Sequence, residues 1–499
     1  MTQELAADPE LGRLADAVLI PPFRGSREPG WIRAALADGL AGVTLFGLNV
    51  QDSGQLAALT ARLRAATTEP IIAIDEEGGD VTRISHQTGS DYPGNAALGA
   101  IDDVSLTTSV YAALGADLAA LGINLDLAPA VDVNTAADNP IIGTRAFGSD
   151  PDLVARHGAA AVAGLQSAGV AACAKHFPGH GSTTLDSHLV LATVDAPMSV
   201  LRKRDLPPFE AAIAAGVRAI MPSHLRVPEL TGELPASLSA RALTDLLRGE
   251  LGFTGVIVSD GLEMRAVSEK YGIPEAAVQA VIAGTDLLCL GRDQDQESFL
   301  AVKAALMEAV RSRRLTGERL EEAAARVAEL RSWTLAAGRA AAADRASSTE
   351  ASAIGLAAAR RAVFVSGSLP PPSRPLVVQL VPPSNLAAGP VPWGLSAFVP
   401  ADSYREISTG TRPPDLADQI SGVLAAAAGR TLIIVVRDAH RYPVAVAAVE
   451  DMLAARPDAV VLEMGLPVWR PANGSYVASY GAARSNSRAA AEILGLTAP

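Results

Sequence analysis

Val170-Ala171-Ala172-Cys173-Ala174-Lys175 is a short apolar run that starts after Gly169, ends on a cation and leads into His176-Phe177-Pro178-Gly179-His180-Gly181. The alanine-rich segment before it opens with Pro151-Asp152-Leu153 and stops near Gly169, the proline-first, glycine-last polarity of a helix. A helix feeding a buried strand is one repeat of a βα pattern, and the pattern recurs along the chain. Ala17-Val18-Leu19-Ile20, Gly42-Val43-Thr44-Leu45-Phe46, Pro70-Ile71-Ile72-Ala73-Ile74-Asp75 and Ile123-Asn124-Leu125-Asp126-Leu127 precede it. Ala219-Ile220-Met221, Gly255-Val256-Ile257-Val258-Ser259-Asp260 and Asp286-Leu287-Leu288-Cys289-Leu290 follow, and Leu206-Pro207-Pro208-Phe209-Glu210 starts another crossover helix. Apolar cores separated by helical crossovers indicate buried parallel strands. Eight of them within roughly 300 residues fit a closed (β/α)8 TIM-like barrel better than an open sheet.

A second regime begins after residue 300. Leu315 through Ala346 reads as helix, with Leu320, Ala324, Val327, Leu330 and Leu335 along one stripe, and suits a connector between domains. Beyond it, Ala362–Val365, Leu376–Leu380, Thr431–Val436 and Ala459–Met464 read as strands, and Ser487, Ala490, Ile493 and Leu494 as a closing helix. Gly389–Pro392 and Ser403–Asp415 read as loops. The expected class is α/β: a TIM-like barrel over 1–312, a helical connector over 313–350 and a smaller α/β sandwich domain over 351–499.

Composition narrows the function. The 499 residues are 49% hydrophobic and 19% charged, which excludes a disordered chain. A net charge of -13 argues against nucleic acid or an anionic membrane surface as partner. Two cysteines, Cys173 and Cys289, cannot build a disulfide framework or a cysteine-only metal site. The opening residues lack the basic lead and apolar core of a secretory signal. No apolar run approaches the ~20 residues that cross a bilayer. A cytoplasmic location is expected.

Polar groups of catalytic type gather where the strands end. Six of the seven histidines lie between His86 and His224, and the densest stretch runs from Lys175 through His188. In a barrel of this kind, chemistry belongs at the C-terminal strand ends. Lys175 and His176 can hold hydroxyls there. His180, between two glycines, can pin a tight loop. Asp186 and His188 stand two residues apart, so a turn could set the carboxylate against one imidazole nitrogen and leave the other for substrate; ordinary loop stabilisation is the competing reading. His176, His180, His188 and Asp186 include enough ligand types for zinc, but no HExxH helix fixes their geometry. Asp75 leads into Glu76-Glu77-Gly78-Gly79-Asp80 with Arg83 beyond, and that glycine pair lacks the spacing and lysine of a phosphate-binding loop. Arg145 can bind substrate or brace loops. Asp260 can project a carboxylate into a barrel mouth, with Glu263 as its competitor.

These motifs, in this order, resemble bacterial β-N-acetylhexosaminidases of glycoside hydrolase family 3. The likeness is carried by Lys175 to Gly181, Asp186-Ser187-His188, Asp75 to Gly79, Ala128-Pro129-Ala130-Val131-Asp132-Val133-Asn134, Arg145 to Gly148 and Val258 to Met264. The resemblance implies Asp260 as nucleophile and His188, oriented by Asp186, as acid/base. It implies that Asp75, Arg83, Arg145, Lys175 and His176 hold a terminal N-acetylglucosamine, with His224 near the pocket. It implies a β-linked N-acetylglucosamine-containing saccharide as substrate, a possible phosphate acceptor, and no metal or organic cofactor. Another family-3 β-glycosidase or a noncatalytic sugar-binding protein are the alternatives. Two departures stand out: Asp80 replaces the usual arginine after the glycine pair, and Gly261 follows the proposed nucleophile where aspartate is common.

Overall fold

A computed structural model of the chain describes residues 8–185, 190–343, 351–369, 371–383, 387–409 and 413–496. The chain divides into two compact units. The first gathers Met1–Glu77, Thr107–Ile142 and Gly148–Ser348; the second gathers Gly78–Leu106, Gly143–Phe147 and Thr349–Pro499. Segments 78–106 and 143–147 therefore group with the C-terminal part, although a linear reading places them with the barrel.

In the first unit, strands form at the eight apolar runs: β1 (Leu19–Ile20), β2 (Gly42–Leu45), β3 (Ile71–Ile74), β4 (Leu125–Asp126), β5 (Ala171–Phe177), β6 (Ala219–Pro222), β7 (Val256–Ile257) and β8 (Leu288–Cys289). Strands β2 to β7 pair in parallel in chain order. Strand β1 pairs in parallel with β8, and a parallel bridge between Val258 and Leu287 joins β7 to β8. The amide of Ala41 donates to the Asp16 carbonyl (3.0 Å) and that of Thr44 to Pro21 (3.3 Å), which ties β1 to β2. Every strand thus has a neighbour on both sides and the barrel closes.

One apolar cluster draws on all eight strand regions, including Ile20, Ala41, Ala73, Leu125, Cys173, Met221, Val258 and Cys289. Residues contributed from every side of a closed sheet fill its interior. Val327 and Leu330 of the helix Gly317–Ala343 join the same cluster, with Trp333 packed against it. Arg331 of that helix donates to the carbonyl of Glu69 (2.8 Å), just before β3, and Arg319 to that of Thr285 (2.8 Å), just before β8. The segment that reads as a connector therefore stoppers the N-terminal end of the barrel and leaves the strand exits on the other side.

The second unit holds a six-stranded sheet. Its strands are β9 (Phe364–Ser366), β10 (Leu376–Val381), β11 (Tyr404–Ser408), β12 (Leu432–Val436), β13 (Val460–Glu463) and β14 (Ser475–Ala478). The order is β9-β14-β13-β12-β10-β11, with only β9 antiparallel to its neighbour. Leu376, Val378, Ile434 and Val436 pack with Leu416, Ile420, Val449 and Met452 on one face. Val377, Ile433, Val435 and Leu462 pack with Ala490, Ala491 and Leu494 on the other. This period of two puts helices on both faces, an α/β sandwich.

One expectation changes here, and one strand had no counterpart in the sequence reading. Ser403–Asp415 contains strand β11 and the start of the helix Pro413–Ala426. Strand β11 is an edge strand in which only Ile407 is buried, so Tyr404, Arg405 and Glu406 give no apolar run to read. Strand β14, four residues after Gly474, was equally silent.

Candidate active site

The barrel's alternation selects the groups at its mouth. Ala73, Cys173 and Val258 belong to the interior cluster. Two residues further on, where the same face recurs, stand Asp75, Lys175 and Asp260. Lys175 is only 2% exposed, and its Nζ lies 2.8 Å from Asp75 Oδ1 and 2.8 Å from Glu77 Oε1. One buried ammonium between two carboxylates fixes all three side chains.

The register between β5 and β6 slips between Lys175 and Phe177. Past this irregularity His176 meets Asp132, whose Oδ2 lies 2.8 Å from His176 Nδ1. Asp132 Oδ1 also accepts the amides of His176 (3.2 Å) and His180 (2.6 Å). Burial pushes the fully enclosed Asp132 carboxyl up, but the charge and hydrogen bond of His176 and the contacts of His180 outweigh it and hold it below the usual range. Asp132 thus orients the imidazole and holds the loop that follows. His180 sets Nδ1 2.8 Å from Thr183 Oγ1 and pins that loop.

A second buried carboxylate, Asp126 at the end of β4, accepts the Glu76 amide (3.0 Å) and so braces the turn after Asp75. Burial holds Asp126 well above the usual carboxylate range, and the neighbouring Glu76 charge adds to the rise. Asp126 and Asp132 were not among the residues expected in the site. Both lie in or just after a strand that ends among apolar residues, and a buried acid there is the signal that points to them.

Asp260 leaves β7 half-buried, and its Oδ1 accepts the Gly261 amide (2.8 Å). Glu263 is placed differently. Its Oε1 accepts the Arg292 amide (2.7 Å), and its Oε2 lies so close to Gly261 and Gly291 that a Cβ would stand 2.4 Å and 1.3 Å away, respectively. The glycine at 261 therefore makes room for the Glu263 carboxylate. His224 is fully buried, with Nδ1 2.7 Å from Ser237 Oγ and Nε2 3.0 Å from the Gly261 carbonyl. Asp186 and His188 lie outside the described residues. Among the described residues, no group of three or more His, Cys, Asp or Glu side chains is arranged to hold a metal ion, and no helix is long and apolar enough to cross a membrane.

The other expected residues belong to the second unit. Gly79 has φ +60°, and a Cβ on it would stand 2.4 Å from Gly94 Cα, so this close approach needs glycine. Asp80 does not present its carboxylate to solvent. Its Oδ2 receives Thr144 Oγ1 (2.6 Å) and pairs with Arg437 (3.0 Å), and its Oδ1 accepts the Ala482 amide (3.0 Å). The departure at 80 is thus an internal ion pair. Arg83 donates to the carbonyls of Ala388 (3.2 Å) and Ala387 (2.9 Å). Arg145 is 8% exposed, and its carbonyl accepts Asn95 Nδ2 (2.7 Å).

Residues 31–330 match the model of the glycosyl hydrolase family 3 N-terminal domain. The chain is 36% identical over 318 residues to β-hexosaminidase A of Pseudoalteromonas piscicida, covering 58% of this chain and 53% of that protein. It spans about half the length of that relative. Against the β-hexosaminidase of Stenotrophomonas maltophilia it is 38% identical over 270 residues, covering 53% of this chain and 78% of the relative. A solved family 3 β-N-acetylglucosaminidase from Paenibacillus sp. superposes with a TM-score of 0.86 at 31% identity, covering 98% of this chain and 97% of that one.

Proposed function

Because the chain belongs to glycosyl hydrolase family 3, we propose that it is a retaining exo-β-N-acetylhexosaminidase that removes nonreducing terminal N-acetylglucosamine from β-linked saccharides. The observation that carries this reading is the cluster at the barrel mouth: Asp75 and Lys175 locked together, His176 oriented by Asp132, and the Asp260 carboxylate at the next strand exit but one. Lysine, imidazole and carboxylate suit the hydroxyls of one pyranose. The β-hexosaminidase and β-N-acetylglucosaminidase names of the relatives support the acetamido sugar. For Arg83 and Arg145, in the second unit, a sugar-binding role is what the resemblance implies.

In the mechanism we infer, Asp260 attacks the anomeric carbon as His188 gives its proton to the departing glycosidic oxygen. A covalent glycosyl-enzyme results. His188 then takes a proton from water, which displaces Asp260, and two inversions return the β configuration. Asp186 orients His188. Phosphate is a second conceivable acceptor, since a neutral imidazole repels it less than a carboxylate would. Hydrolysis of an aryl β-N-acetylglucosaminide followed by NMR is expected to give β-N-acetylglucosamine first, with or without phosphate. A first-formed α anomer would refute retention, and a sugar 1-phosphate would make phosphate the acceptor.

A Lys175→Met variant that remains folded is expected to lose on the order of 10²-fold in kcat/KM, because the sugar loses a positioned donor and Asp75 its anchor. Circular dichroism with steady-state kinetics checks both halves. Wild-type kinetics on this sugar would remove Lys175 from the site.

A further inference from the structure

We propose that His224 positions the nucleophile and does not bind the sugar. The inference rests on the glycosidase reading above and gives His224 a different task within it. His224 and Ser237 are both fully buried. A carbonyl oxygen can only accept, so the 3.0 Å contact with Gly261 requires the hydrogen on His224 Nε2. In the neutral ring Nδ1 is then the acceptor, and the Ser237 hydroxyl at 2.7 Å donates to it. The carbonyl thereby selects the tautomer, and the hydroxyl, able to donate or accept, completes the ring's hydrogen bonds.

The far end of this chain is the nucleophile. Gly261 receives His224 on its carbonyl and gives its amide to Asp260 Oδ1 at 2.8 Å. Glycine has the widest backbone freedom of any residue, so an unanchored Gly261 would let the adjoining Asp260 carboxylate wander. The link Ser237–His224–Gly261–Asp260 restrains that freedom before substrate arrives, alongside the Met264 amide, which also donates to the Gly261 carbonyl (3.1 Å). Ser237 is itself held, its amide donating to the Ser223 carbonyl (3.2 Å). In-line attack tolerates little misplacement, and an error of about 1 Å costs on the order of 10²-fold in rate. His224 is therefore a positioning residue, and its loss belongs to the bond-forming step.

The test measures the rate of glycosyl-enzyme formation from an activated aryl N-acetylglucosaminide, together with competition by free N-acetylglucosamine. His224→Leu is expected to slow formation on the order of 10²-fold while the affinity for free sugar stays within about twofold. His224→Gln, which can still offer N–H to the Gly261 carbonyl, should recover most of the loss. Ser237→Ala should slow the same step several-fold, and it carries the test if His224→Leu fails to fold. Parallel loss of sugar affinity would make His224 a sugar ligand and overturn the proposal. So would a thermal destabilisation with the formation rate intact, or no recovery in a folded His224→Gln. A wild-type protein that forms no glycosyl-enzyme would defeat the glycosidase reading itself, and the present inference with it.

Discussion

A folded Asp260→Ala variant is expected to form no glycosyl-enzyme and to lose activity by a factor on the order of 10⁴ to 10⁶, as when the nucleophile of a coupled catalytic unit is removed. Asp260 stands two residues past the interior Val258, beyond the end of β7. Glu263, the nearest competitor, is held by the Arg292 amide and wedged over Gly261 and Gly291. It cannot swing into the vacated position without giving up that seat. Intact-protein mass spectrometry during turnover of an activated aryl N-acetylglucosaminide reads the adduct directly. Normal labelling of another carboxylate in folded Asp260→Ala would end this assignment.

The acid/base half of the mechanism separates by leaving group. General acid catalysis contributes about 10²- to 10⁴-fold, and only where the departing oxygen needs its proton. His188→Ala should therefore lose far more on an alkyl or sugar aglycone than on a dinitrophenyl one. With the activated substrate it should accumulate the intermediate, because water still lacks its base. Asp186→Asn should show a milder version of the same pattern. Equal losses across leaving groups, with no accumulation, would count against His188.

The barrel was legible because its strands are buried on both sides, so that most of them read as apolar runs, from Leu19-Ile20 to Leu288-Cys289. Asp75, Lys175 and Asp260 stood out for a related reason: each is the charge on which an apolar run ends. Asp132 and Asp126 were not, since each acts through backbone amides supplied by a distant strand, and pairings between strands leave no local pattern. The same holds for His224, whose partners are 13 and 37 residues away. Strand β11 escaped because an edge strand needs only one buried residue, Ile407. The meaning of Asp80 depended on Arg437, more than 300 residues on, and no reading of the glycine pair could supply that partner.

The largest stability effect is expected at the opposite end of the barrel from the chemistry. Asp286 precedes β8 with no exposure at all and pairs with three guanidinium groups: Arg248, Arg319 Nη2 at 2.7 Å and Arg326 Nη1 at 3.3 Å. Its Oδ2 also accepts the amide of Ile257 in β7 (2.9 Å). One carboxylate thus fastens β7, the entry to β8, the helix Arg241–Glu250 and the helix that stoppers the barrel. The arginine side chains are only 14–21% exposed, so this is not a solvent-screened surface pair. Asp286→Ala leaves three half-enclosed cations, of which Arg319 and Arg326 share the exposed Glu322, and removing one partner of a buried ion pair costs about 3–5 kcal/mol. At roughly 2–4 °C per kcal/mol for a domain of this size, the barrel's melting transition should fall by about 10 °C. Asp286→Asn, which keeps an acceptor but no charge, should fall by less. Far from the strand exits, neither change should alter kcat at a temperature where the variant is fully folded. Calorimetry of the purified chain decides it: a transition within about 2 °C of wild type for Asp286→Ala would mean that the guanidinium groups find other partners and that the stopper helix is held by its apolar stripe alone.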